Sequence, residues 1–153
     1  MLNPNSERGQ AREVWVVFCD APRVKQLWFL RRHFKHCFII IRSVQGFVTI
    51  DPLFDRVEVL TTPETAGYDL IDLLKDQGLT IVKTEFFAPK HKAYFPALIT
   101  CVSLVKRVLR LDAALVVTPY QLNRTLIHRG AQVISAGPLA SISSTPSNLR
   151  EMS

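Results

Sequence analysis

Cysteine is scarce in this chain. Only Cys19, Cys37 and Cys101 occur, widely spaced and without a CxxC pair, so neither a disulfide framework nor a zinc ribbon is expected, and the odd number leaves at least one thiol unpaired. Long apolar runs are missing as well. The longest, VWVVFC and CFIII, fall far below the roughly 20 residues needed to cross a bilayer, and no membrane span is expected. The opening MLNPNSERGQ carries no apolar block of the secretory kind. A soluble, cytoplasmic protein is therefore the expectation.

What is present suits a globular core. With 153 residues and 48% hydrophobic composition, the chain has enough apolar surface for one domain, expected over residues 13–139. Residues 1–12 read as a flexible start. The Ser/Pro-rich end, 140–153, reads as a disordered tail, because so little apolar surface cannot offset the entropy lost on ordering. The formal net charge of +6, with Arg31, Arg32 and Lys35 in one cluster and Lys90 and Lys92 in another, favours polyanionic partners such as nucleic acid.

Strand signals come first. Residues 14–20, VWVVFCD, are rich in β-branched and aromatic residues and close on a turn-forming Asp20-Ala21-Pro22. The run 24–34 has weak periodicity and reads as a loop or short helix. Residues 36–42, HCFIIIR, and 46–51, GFVTID, make an antiparallel hairpin, followed by strands over 56–61 and 79–87. Between these two lies a helix with Tyr68, Ile71 and Leu74 at helical spacing and Gly78 near its end. A second helix begins after Thr100 as N-cap, with Val102, Val105, Val108 and Leu109 on one face. A third has Thr118 as N-cap, Pro119 at the first helical position, Gln121 completing a capping box and Gly130 ending it. A last strand is expected from AQVISAGPL. The fold class is α+β, with an antiparallel sheet packed against the helix that carries the cysteine.

The chemistry concentrates in three residues. Cys101 falls in a first helical turn, where unpaired backbone N–H groups and the positive end of the helix dipole favour a thiolate. A cysteine nucleophile also needs an imidazole to hold its proton and a third group to orient that imidazole. His36 and Asp51 supply the pair. If the hairpin turns through Val44-Gln45, facing positions have numbers that sum to 89, so Phe38 opposes Asp51 and His36 sits one diagonal step away on the same face. The Cys101 N–H is the expected oxyanion donor. No metal is expected, since consecutive His36 and Cys37 point to opposite faces of a strand, and no cofactor, since transfer through an acyl-enzyme needs none. Cys19 and Cys37 read as core residues. His91 reads as a loop residue, and Phe86, Phe87, Tyr94 and Phe95 as packing.

The order of histidine at a strand start, polar residue on the next strand and cysteine heading a helix, in HCFIIIRSVQGFVTID and TCVSLVKRVL, resembles the circularly permuted papain-like fold of the NlpC-related superfamily. That superfamily includes lecithin retinol acyltransferase-like enzymes and bacterial lipoprotein-type hydrolases. The stretch Thr100-Cys101-Val102-Ser103 differs from the Asn-Cys-Glu-His string of the acyltransferases and points away from that branch. The resemblance implies a cysteine hydrolase acting on an acyl or peptide-like substrate through an acyl-enzyme on Cys101, with His36 as base and Asp51 orienting it. The alternative is an inactive papain-like scaffold that binds nucleic acid or an acidic protein through its basic clusters.

Overall fold

A computed structural model of the chain describes residues 13–20, 30–53, 55–64, 69–87 and 100–137. The flexible start, the disordered tail, most of the loop or helix over 24–34, and His91, Lys90, Lys92, Tyr94 and Phe95 lie outside the described residues. Among the described residues, six strands and three helices follow in the order β1 (Val14–Cys19), β2 (His36–Ser43), β3 (Gly46–Pro52), β4 (Val57–Pro63), α1 (Leu70–Asp76), β5 (Thr80–Thr84), α2 (Cys101–Leu109), α3 (Pro119–His128) and β6 (Gln132–Ser135). The strands form one antiparallel sheet in the order β4-β3-β2-β1-β5-β6. The class is thus α+β.

Alternation along the strands sorts the core onto two faces. Val14, Val16 and Phe18 of β1 join Cys37 and Ile39 of β2 and Val82 of β5 on the face covered by α2 and α3. Trp15 and Val17 join Ile40, Phe47 and Ile81 on the face covered by Ile71 of α1. Helix α2 presents Val102, Val105 and Leu109 to the first face, all essentially inaccessible to solvent. Burial of each such side chain contributes about 1.5–3 kcal/mol, and this holds the helix against the sheet more firmly than its own propensity does.

The β2–β3 hairpin turns through Val44 and Gln45, with Ser43 facing Gly46 and Ile39 facing Ile50. Those pairs follow the register expected from the sequence. Gly46 makes it feasible: its φ is +134°, and a Cβ there would lie 2.2 Å from the Thr62 carbonyl oxygen of β4, so no side chain fits. Strand β5 is shorter than its apolar pattern predicts. It stops at Thr84, because the Phe87 N–H turns to the Leu109 carbonyl at the end of α2, 2.9 Å away, instead of extending a ladder.

Both long helices start where their polar residues predict. Thr100 caps α2 and Thr118 caps α3, each in a capping box. In α2 the reciprocal residue is Ser103, which the sequence pattern does not mark because Glu or Gln is the usual partner.

Candidate active site

The cap of α2 determines which amides face outward at Cys101. Thr100 Oγ1 accepts from the Ser103 N–H at 3.1 Å, and Ser103 Oγ accepts from the Thr100 N–H at 2.8 Å. The first helical bond runs from the Leu104 N–H to the Thr100 carbonyl. The Cys101 and Val102 N–H groups take no part in this cap. They stand at the positive end of the helix beside the thiol.

On the sheet, His36 Nε2 and Asp51 Oδ1 are 2.6 Å apart, with the side chains 18% and 26% exposed. Such shelter keeps the bond from being screened as a surface pair is. With Nε2 on the carboxylate, Nδ1 is the ring nitrogen left for Cys101. The hairpin register accounts for the meeting: extending the Ile39–Ile50 pairing by one residue sets Phe38 opposite Asp51, and His36 lies two positions away on the same side as Phe38. Glu58 faces Asp51 from β4. Arg56 holds that second carboxylate at 2.7 and 3.0 Å, which offsets the repulsion between two facing acids.

The Cys101 thiol comes under the hydrogen-bonding influence of the Cys37 and His36 side chains and of the Cys37 backbone N–H. Strand alternation alone would separate residues 36 and 37, so the sulfur's position needs an explanation. The Arg42 N–H donates to the Glu13 carbonyl at 2.8 Å, continuing the β1–β2 ladder, so even-numbered residues of β2 bond toward β1 and odd-numbered ones toward β3. The Cys37 N–H therefore points in the plane of the sheet toward β3. The pairs of β2 with β3 end at Ile39 and Ile50, so the Cys37 N–H lies beyond the last rung of that ladder. The amide is turned instead to the Cys101 sulfur. At the end where β2 and β3 part, that sulfur answers to groups from both faces, His36 and Cys37.

Protonation follows from these contacts. The hydrogen bond from the Cys37 thiol lowers the Cys101 pKa most; burial opposes it, and the His36 bond, the imidazolium charge and the Cys37 amide lower it further, to about 5. Burial pulls His36 down, but the Asp51 and Cys101 bonds outweigh it and raise His36 to about 9. Cys101 and His36 thus stand as thiolate and imidazolium between these values. The Cys37 thiol, donating to that thiolate and sealed from solvent, is pushed well above its ordinary value. Burial, then the Asp51, Asp20 and Cys101 charges, push Cys19 up to about 12.

The structure brings together all three residues singled out from sequence, Cys101, His36 and Asp51. Cys37, read as a core residue, is fully buried but also binds the sulfur. Its odd-numbered place beside Ile39, on the side that packs α2, was the signal that could have marked it. Cys19 is only partly buried and faces His36 across β1 and β2. His33 is engaged elsewhere, with Nδ1 3.2 Å from Asp20 and its N–H on the same carboxylate. Among the described residues, no group of three or more His, Cys, Asp or Glu is arranged to hold a metal ion, and no helix is long and apolar enough to cross a membrane.

No family model, curated protein or solved structure matches the chain. The chemistry of the site therefore rests on its own atoms.

Proposed function

We propose that this chain is a cysteine hydrolase of the circularly permuted papain-like kind, cleaving an amide, ester or thioester through an acyl-enzyme on Cys101. The observation that carries this reading is the 2.6 Å contact of His36 Nε2 with Asp51 Oδ1 beside Cys101 at the start of α2, where Cys101 is drawn toward the thiolate and His36 toward the imidazolium. In acylation the Cys101 sulfur attacks the carbonyl carbon, and the carbonyl electron pair moves onto oxygen. The amides of Cys101 and Val102, at the open end of α2, are the donors nearest that developing charge. Collapse of the adduct breaks the bond to the leaving group, which takes the His36 proton. The neutral imidazole then draws a proton from water as the water attacks the thioester, and Cys101 leaves as the thiolate. Asp51 holds the ring in place throughout.

An activated acyl ester or acyl-based covalent probe tests this directly. Wild-type chain is expected to take one equivalent on Cys101, and Cys101→Ala none. Equal labelling of the two would sink the assignment. Exposed Arg31 and Arg32 support a second reading, a basic binding module on the same scaffold. Absence of any acyl-enzyme, together with salt-sensitive binding to single- or double-stranded nucleic acid, would favour it.

A further inference from the structure

The second thiol at the site forms no covalent bond in acyl transfer. Cys37 projects from β2 into the cluster on which Cys101 packs, and it is wholly enclosed, whereas Cys101 is only partly buried. Cys101 packs against the cluster that contains Cys37, and each thiol shifts the other's protonation. A small oxidant can therefore reach the outer sulfur but not the inner one, and the outer sulfur has a thiol waiting behind it. Cys19 is not equivalent. It stands opposite His36, on the side of the sheet away from the Cys37 side chain, and feels Cys101 only as the smallest of the charges that push its own thiol up.

We propose that Cys101 and Cys37 form a hydroperoxide-reducing pair, with Cys101 the attacking sulfur and Cys37 the resolving one, closing a Cys37–Cys101 disulfide. The Cys101 thiolate attacks the terminal oxygen of a hydroperoxide ROOH. An S–O bond forms, the O–O bond breaks, and the departing alkoxide takes the His36 proton to leave as ROH. The Cys37 sulfur then attacks the sulfenic sulfur, the S–O bond breaks, and the Cys37 proton leaves with the hydroxide as water. Two thiol sulfurs are oxidised by two electrons in all, and the peroxide is reduced by the same two. Conversion of Cys101 to sulfenic acid also removes the anion whose hydrogen bond most holds the proton on Cys37, so the first step prepares the second. An external thiol or dithiol restores the pair. This activity uses the same sulfur as acyl transfer but does not depend on it.

The test treats the full chain at pH 7 with a small excess of hydrogen peroxide, blocks remaining thiols with N-ethylmaleimide and maps tryptic peptides without reduction. The three cysteines fall in separate peptides, 13–23, 36–42 and 93–106. Expected are loss of two of the three thiols, a linked 36–42/93–106 species, and recovery of both on adding dithiothreitol. In Cys37→Ala, and in Cys37→Ser as a polar alternative, the Cys101 sulfenic acid should persist and take dimedone at least tenfold more than wild type does. A 13–23/93–106 link, sulfinic acid at Cys101 forming as fast in wild type as in Cys37→Ala, or three thiols untouched by peroxide would each overturn the proposal. The wild-type mapping decides the matter even if both variants misfold. An acyl probe applied to a separate, fully reduced aliquot of the wild-type chain separates the two readings: labelling there without a link in the peroxide-treated aliquot defeats the peroxide pair alone, and a link without labelling of the reduced aliquot defeats the hydrolase alone.

Discussion

At the scale of single residues, the site is a proton placed between two bases. His36 carries it from about pH 5, where Cys101 gives it up, to about pH 9, where the imidazolium loses it. Acylation and alkylation of Cys101 should therefore both rise through an inflection near the lower value, and acylation should fall near the upper one. Iodoacetamide rates across pH check the first limb, and a Cys101 that begins to react only near the ordinary thiol range would contradict it. Asp51→Asn keeps a polar group beside Nε2 but removes the charge that helps raise His36. Acylation in this variant is expected to slow by about 10²-fold, within the usual span of acid–base effects, and its alkaline limb should move to lower pH. An unchanged limb in the single-turnover pH profile would show that Asp51 does not act through His36.

At the scale of elements, the hairpin register governs the chemistry. A slip of one residue would send Asp51 to the opposite face from His36. Gly46→Ala, which must strain φ at +134° and push aside the β4 backbone, is expected to cost about 1–3 kcal/mol in urea unfolding and to lower acylation with it. Gly130 offers the control: its φ is +92°, and a Cβ there would meet nothing within 4 Å, so Gly130→Ala should lose stability while keeping acylation per folded molecule. Acylation equally impaired in both would detach the register from the site. Much of this was legible in the chain. Val44-Gln45 set the hairpin, and Thr100, Thr118, Pro119 and Gln121 marked two helix starts, because each acts on its immediate neighbours. What escaped was non-local. Nothing near Thr80–Thr84 says that β5 lies beside β1, and strand alternation hid that Cys37 and His36 would share one sulfur, since that follows from a β2–β3 ladder that stops at Ile39 and Ile50.

At the scale of the molecule, the paired charges enter folding stability. The Cys101 pKa is depressed on folding, so its contribution is present in full above the unfolded thiol value near 9 and is lost as pH falls through about 5. His36 is raised, so its contribution is present below about 6.5 and is lost as pH rises through about 9. Between about 5 and 6.5 the unfolded chain holds one more proton at these two groups than the folded one does, and stability should climb with pH by no more than about 2 kcal/mol. From there to about 9 the two slopes cancel. Urea midpoints across this range check the shape, and Cys101→Ser should flatten the lower rise; a rise of full size in that variant would place its origin elsewhere.

The spacing of the three groups along the chain also gives the site a history. His36 and Asp51 are 15 residues apart and meet by closing one tight hairpin, while Cys101 arrives with a helix encoded far downstream, across a much larger loop. A chain with the hairpin closed and α2 not yet docked would hold an imidazole beside a carboxylate and, elsewhere, an ordinary thiol. Where the hairpin closes before α2 docks, the nucleophile is armed by the last contact made, and such an incompletely folded copy carries the acid–base pair without the means to react.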